Sequence, residues 1–388
     1  MKKILLLLMV LGLFLPAFSF FPFFYGARSL SLGYSSLAFN YDLNAAYINP
    51  ALLYYLSASL GGYQYESSFL DFRDAGGRLG SISPSELRNF QDLDATRKEA
   101  LLAELGGIFA AKAPLSGFQM HNPGYAGKGY AIAIARVDAA IAYPLPSDVL
   151  ARPAGEVTNE DIASLRLRFI GLHYDDYSLS FAVPLSQGIA AGATVHYLKG
   201  RNAEFDASIT AEPFASGTDA ADLLKYAWSA AEKSFSRLNF DLGLIVQFGA
   251  YFKAGLAVKN LASPLIATDM GELKLERRMI AGLAFRPDGQ FGIYLDIDVA
   301  RSDLYHSGEE AQPLSLGLEK GLFRNKLFLR AGLLSDLAAK YLVGRKSNAV
   351  YGLGLGFNLG KFLVDLSLGL DPAGRAKNLA ISGFYVSQ

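Results

Sequence analysis

The stretch "GFNLGKFLVDLSLGL", residues 356–370, holds two alternating runs that meet at a tight Asn-Leu-Gly-Lys corner. In its second half Phe362, Val364, Leu366, Leu368 and Leu370 share one face, while Asp365, Ser367 and Gly369 lie on the other, because successive side chains of a strand point to opposite sides of a sheet. The unit returns at "VPLSQGIAAGA", "IVQFGAYFKAGL", "AFRPDGQFGIYL" and "KGLFRNKLFLRAG". Each reads as a β-hairpin closed by a few turn-forming residues. In neighbouring strands Ile293, Leu295, Ile297 and Val299 oppose Tyr294, Asp296 and Asp298, and Leu238, Phe240, Leu242, Leu244, Val246 and Phe248 oppose Asn239, Asp241 and Gln247. A soluble sandwich makes this pattern with its apolar face inward, and a membrane barrel makes it with that face outward.

Loop lengths separate the two. Strands are predicted near 54–66, 128–143, 164–175, 177–185, 188–212, 234–249, 251–261, 276–287, 290–303, 311–322, 324–335, 347–359, 361–371 and 376–387, about fourteen, and an even number suits a barrel. Short turns gather on one rim and long loops on the other, the asymmetry of periplasmic turns and extracellular loops. Two connections break the scheme: 144–163 is long on the short rim, and "YDDY", 174–177, is tight on the long rim. The predicted fold is all-β, a transmembrane antiparallel β-barrel of about 14 strands over residues 53–388 with helical insertions in its extracellular loops.

Those insertions cover about 83–106 and 218–233. The first opens with Ser83 as cap, Pro84 at the first helical position and Glu86 completing a capping box, and stops at Gly106 and Gly107. The second carries Leu224, Trp228 and Ala231 along one side. Such stripes either dock the loops onto the barrel mouth or help capture a ligand there.

Lys2 and Lys3 precede an apolar run that ends at Pro16, with small residues at Ala17 and Ser19. Residues 1–19 therefore read as a cleaved secretory signal peptide. No cysteine is present, which excludes disulfides, thiolate metal sites and thioredoxin-type redox chemistry. Thirty-six basic residues balance thirty-six acidic ones, so no net field attracts nucleic acid. No phosphate-loop, zinc or other cofactor signature occurs, and no cofactor or metal is expected.

Between the signal and the first strand stand "GARSLSLG" and "AAYINPALL"; "AGLAVKNLASP" follows at 254–264. In these three places, and in the order of elements along nearly the whole mature chain, the sequence resembles the FadL-like outer-membrane superfamily, which includes long-chain fatty-acid channels and PorV-type secretion components. The TraF-like branch resembles it best in detail. That resemblance implies an N-terminal hatch or plug over residues 20–52, with Asn49, Pro50 and Ala51 as its motif. Proline fixes its own backbone angle and holds Asn49 extended, while the asparagine amide bonds nearby backbone. An ordinary linker turn before the first strand remains the alternative.

If the apolar face meets lipid, the opposite face lines the lumen with Arg166, Arg168, Asp241, Gln247, Glu276, Arg278, Asp296, Asp298, Glu319, Arg330 and Asp365. Mixed charge there favours internal ion pairs and hydrogen bonds with the plug. Asp296 and Asp298 read either as polar lining or as an acid dyad or cation site. His121 and His306 fall in loops, His173 near a strand end and His196 within a strand. No local spacing pairs any of them with a serine, so no enzymatic activity is expected.

The expected role is passive transport of hydrophobic or amphipathic, fatty-acid-like small molecules across the outer membrane of a Gram-negative-type bacterium, gated by the hatch. The alternative is a non-transporting scaffold or secretion-associated component, as PorV-type members are. Expected partners are outer-membrane lipids, the barrel-assembly machinery and either a hydrophobic small-molecule ligand or a secreted protein. Nucleic acid is not among them.

Overall fold

The computed structural model describes residues 26–40, 42–57, 59–68, 82–109, 115–145, 147–210, 233–268, 270–303, 310–338, 349–372 and 376–387. The expected signal peptide and all of the expected helix at 218–233 but its last residue lie outside them; Lys233 opens a strand. In chain order the strands are β1 Ser59–Ser68, β2 Leu115–Gly127, β3 Tyr130–Pro144, β4 Arg166–Ser186, β5 Ile189–Ser208, β6 Lys233–Phe248, β7 Phe252–Lys259, β8 Leu265–Ala267, β9 Glu272–Lys274, β10 Arg278–Phe285, β11 Phe291–Asp298, β12 Ser302–Asp303, β13 Glu310–Ala311, β14 Pro313–Leu322, β15 Leu327–Asp336, β16 Val350–Asn358, β17 Phe362–Leu370 and β18 Ala376–Ser387. Fourteen close into one barrel, sealed where β1 pairs with β18, and β8–β9 and β12–β13 form separate hairpins. Closure leaves no edge with unpaired backbone groups, which hydrocarbon requires.

The total agrees with the sequence reading, but two strand assignments offset each other. The two strands expected at 164–175 and 177–185 are one, β4 Arg166–Ser186, because "YDDY" is not a turn: Asp175 points out to Arg136 and Asp176 points in to His196. β2 was missed, because Asn122-Pro123-Gly124 reads as a turn, yet it lies within the strand, where the ladder to β3 skips Asn122 and Pro123; a proline has no N–H to give that ladder. With β2 restored and β4 whole, 145–165 falls on the long rim and both exceptions vanish.

The outer face shows where lipid ends. Along β4, Tyr177, Leu179, Phe181, Val183 and Leu185 are exposed, nine residues end to end, which matches the roughly 9–11 that span a bilayer core. Just beyond, the same face turns charged with Asp175 paired to Arg136 and His173 paired to Asp138. Ring pairs Tyr177–Tyr197 on this side and Phe252–Phe285 and Phe362–Tyr385 on the short-turn side flank the apolar band, as barrel aromatic girdles do.

β4 and β5, at 21 and 20 residues, continue past this boundary. Their outward Leu167, Phe169, Phe205 and Ala207 would meet water there, and the first insertion covers them with Leu87, Phe90, Leu101 and Leu105. That insertion is not one helix: it runs as α3 Pro84–Arg88, a 3-10 turn Phe90–Asp92 and α4 Ala95–Phe109. The Ser83 side chain makes no cap bond, and α4 passes through Gly106 and Gly107 to Phe109. Docking onto the strands holds the helix where local signals predict a stop. A further short helix, Asn159–Ser164, completes the cover with a capping box between Thr158 and Asp161.

Candidate functional site

Residues 26–56 form no wall strand. They run as helix α1 Gly26–Ser31, helix α2 Ala45–Ile48 and a 3-10 turn Pro50–Tyr55, and most of their side chains are fully buried. The wall admits them because its inward positions are glycine along their path. A Cβ on Gly352 would collide with the Leu30 carbonyl, on Gly332 with Gly33, on Gly317 with Ser35, on Gly282 with Leu37, on Gly243 with Asn49 and on Gly192 with Pro50 and Ala51. The segment thus follows the inside of the wall from β16 round to β5.

Inward polar side chains hold it there. Glu319 accepts from Arg28, Arg330 and Tyr294, and Arg330 also donates to Asp365 at 2.5 Å, in a fully buried cluster. Asp296 accepts the backbone N–H groups of Ser36 and Leu37 at 2.7 and 2.8 Å. Glu66 of β1 accepts from the Tyr34 hydroxyl at 2.6 Å and from the Gly26 N–H at 3.0 Å. Lys259 donates to the Tyr47 carbonyl and pairs with Asp241. Each bond satisfies backbone or charge that a low-dielectric interior would otherwise leave costly.

Asn49 is extended, at φ −152° and ψ 104°, and its Oδ1 accepts from the Ala51 N–H at 3.1 Å, capping the 3-10 turn in which Pro50 takes the first position. Its amide donates to the carbonyls of Leu244 at 3.1 Å and Leu37 at 3.3 Å. The motif therefore bonds both to its own turn and to the wall.

The remaining sequence-predicted residues divide. Arg278 and Asp298 form a bidentate pair, Arg168 pairs with Asp206 nearer the long rim, and Gln247 sits at a short turn bonded to the Gly249 carbonyl. With Asp298 on Arg278 and Asp296 on backbone, the two carboxylates act separately. Arg166 is exposed at the strand end, and Glu276 lies outside the wall strands, paired with Lys274. Sequence reading missed Arg28, Glu66 and Lys259, and put Tyr294 on the inward face without giving it a role; alternation in β1 and β7 marks Glu66 and Lys259 as inward, but nothing local marks Arg28.

His121 lies in β2 on the outer face against Tyr63, not in a loop, and His173 is within β4. His196 is buried with Nδ1 on Asp176 and Nε2 on Asp241. Carboxylates take both its nitrogens, so neither is free to draw a proton from a serine.

On the long-rim side of this segment the interior turns apolar. Met120, Val137, Ile170, Leu172, Leu198 and Phe235 gather there with Ile266 and Leu273 of the β8–β9 hairpin. Asn260, at φ +53°, ends β7 and turns the chain into that hairpin, its N–H on Asp241 and its amide on the Glu276 carbonyl. Carbonyls of Ala267 and Thr268 accept from Asn202 and Lys233, laying the hairpin against β5 and β6.

A family model described as "F plasmid transfer operon, TraF, protein" matches residues 85–298, more than half of the chain. Among solved structures, the CymD monoaromatic hydrocarbon channel is similar at a TM-score of 0.53 and 11% identity, covering 94% of this chain and 97% of its own. A Pseudomonas aeruginosa FadL homologue is similar at 0.51 and 10% identity, over 93% and 98%, and the P. putida toluene transporter TodX at 0.50 and 11%, over 94% and 98%. No curated protein matches the sequence.

Proposed function

The chain belongs to the TraF family whose model it matches, and from that premise, joined to the barrel it shares with FadL-type channels, we propose that it is an outer-membrane protein passing hydrophobic or amphipathic small molecules without chemical change. The observation that carries the reading is the apolar interior on the long-rim side, Met120, Val137, Ile170, Leu172, Leu198 and Phe235, since barrel channels for polar solutes are lined with polar groups. The long rim is then extracellular. The N-terminal segment is the hatch, and the β8–β9 hairpin is a cover that a ligand displaces. Asn49, Pro50 and Ala51 fix the hatch to the wall, and inward Asp241, Asp296, Glu319, Arg330 and Asp365 are its holding points rather than a cargo site.

A scaffold role has one observation in its favour. The cavity lined by Tyr34, Leu37 and Ile48 measures about 20 Å³, room for a single water, so nothing larger fits between segment and wall at that place. Uptake of a lipophilic fluorescent probe by cells expressing the wild type, the empty vector or an Asn49→Ala/Pro50→Gly variant tests the choice. Transport predicts faster uptake with wild type than with vector, and faster again with the variant. Equal uptake in all three, with normal barrel assembly, overturns transport and leaves the scaffold.

A further inference from the structure

Three neighbouring turns of the short-turn rim gather charge of one sign. Over residues 286–291, 320–327 and 358–362 stand Arg286, Lys320, Arg324, Lys326 and Lys361 against a single acid, Asp288, in a chain whose 36 basic and 36 acidic residues balance. The turns are fastened to one another: Asn325 donates its amide to the Gly289 carbonyl at 3.2 Å, and the Asn358 N–H donates to the Lys326 carbonyl at 2.9 Å. Arg286 turns inward over the Phe39 ring. The other four cations are exposed, and among the described residues none of them forms an ion pair. Asp288 already accepts from the N–H groups of Gln290 and Phe291 at 2.7 and 2.5 Å.

Apolar side chains protrude between these cations. Phe323 is 74% exposed and Leu359 67%, and Phe362 packs edge-on to Tyr385 in the aromatic girdle beside them. Phe323, Arg324 and Asn325 follow one another at φ +51°, +57° and +63°, left-handed backbone that a phenylalanine rarely adopts, so the turn keeps Phe323 exposed against its own backbone preference. Lys320 lies on the outer face between Leu318 and Leu322, with Phe291 and Leu329 as cross-strand neighbours and its Nζ 6.0 Å from the Phe291 ring. A lysine in such a row extends its ammonium along the wall to headgroup depth.

Unpaired cations among exposed apolar side chains, at the edge of the lipid band, match a molecule that is anionic at one end, apolar at the other and held in that same layer. A soluble anion would leave Phe323 and Leu359 in water. We propose that these three turns bind the phosphodiester headgroup of an anionic phospholipid, with Lys320, Arg324, Lys326 and Lys361 about the phosphate and the acyl chains on outward Leu318 and Leu329. With the long rim extracellular, the lipid belongs to the periplasmic leaflet. It is a partner of the outer face and not cargo, so the proposal rests on the membrane reading and is independent of transport.

Fluorescence of a Phe323→Trp/Trp228→Phe barrel in phosphatidylcholine vesicles reads the site, since the chain's single native tryptophan is removed. Brominated phosphatidylglycerol should quench it with a binding constant about tenfold above that of brominated phosphatidylcholine, and millimolar inorganic phosphate should not change the preference. Adding Lys320→Gln/Arg324→Gln should erase the preference, while Lys128→Gln, on the separate β2–β3 turn, should leave it intact. Heat-modifiable mobility on gels and flotation with the vesicles confirm that each barrel is assembled and inserted. No preference in the inserted parent barrel, an unchanged preference in the double variant or its loss on adding free phosphate would each overturn the proposal. Displacement of the lipid by a polyglutamate peptide would also overturn it, in favour of an acidic protein partner. A folded barrel that does not float with vesicles would overturn the membrane reading itself, and the proposal with it.

Discussion

Asn49 Nδ2 donates to the Leu244 carbonyl of the barrel wall at 3.1 Å, at the point where Gly243 leaves room for the Asn49 side chain. Replacing Asn49 with Ala removes this bond and the cap on Ala51, each worth about 1 kcal/mol. The wall ladder of β6 with β7 does not involve that side chain. The expected outcome is normal heat-modifiable assembly with new protease cleavage within residues 26–56. Loss of assembly would make the motif part of the folding nucleus instead.

A second prediction uses the glycine track. Gly332→Ala pushes a methyl into the backbone of Leu32 and Gly33, which have no slack, so the segment must leave the wall locally at a cost of about 1–3 kcal/mol. Gly289→Ala meets nothing within 4 Å and serves as the control. Hydrogen exchange of residues 26–40 should quicken in the first variant alone; equal exchange in both would mean the segment is not held by that fit.

The buried cluster makes a sharper case. Arg330 serves both Glu319 and Asp365, with 1% of its side chain exposed. Arg330→Met takes from Glu319 and Asp365 the guanidinium that both share and should cost about 3–5 kcal/mol, read as a lower urea midpoint in detergent. Arg28→Met leaves Arg330 in place and should lower it less. The reverse order would move the anchor from the wall to the N-terminal segment.

Much of this was legible in the alternation of β11, β14, β15 and β17, where inward Asp296, Glu319, Arg330 and Asp365 stand out among apolar neighbours. What they bind was not, because their partners lie up to 291 residues away in sequence and no periodicity encodes that distance. Asn122-Pro123 hid β2 and the Asp pair split β4 for one reason: turn-favouring residues also occur inside strands wherever a face is polar. Nothing in the alternation of β4 separates outward Leu167 and Phe169, buried under the helical cover, from outward Leu179 and Phe181, which are exposed.

That cover yields a paired prediction on one surface. Leu242 is 43% exposed in the apolar band, so Leu242→Arg should cost about 2–4 kcal/mol and impair insertion. Leu167 on β4 is 1% exposed beneath the helical cover. Leu167→Arg should leave insertion intact and instead free residues 82–109 to proteases. Both variants failing to insert would place Leu167 in the lipid span.

The cover also carries its own pH dependence. Backbone and hydroxyl donors of Thr158 hold the Asp161 carboxyl below its usual range, Arg152 does the same for Asp148, and the Arg97 guanidinium does so for Glu86. A carboxyl depressed in the folded state stabilises it above the unfolded pKa and loses that contribution as pH falls through the folded one. The window therefore opens near pH 4, where free Asp and Glu begin to protonate, and widens below it. Hydrogen exchange of residues 82–109 and 147–165, corrected for intrinsic rate, should lose protection between pH 5 and 3 while the strands keep theirs. Asp161→Asn should already show part of that loss at pH 7 and a smaller further change on acidification, and protection of the cover that stays constant down to pH 3 would show that these three contacts do not hold it.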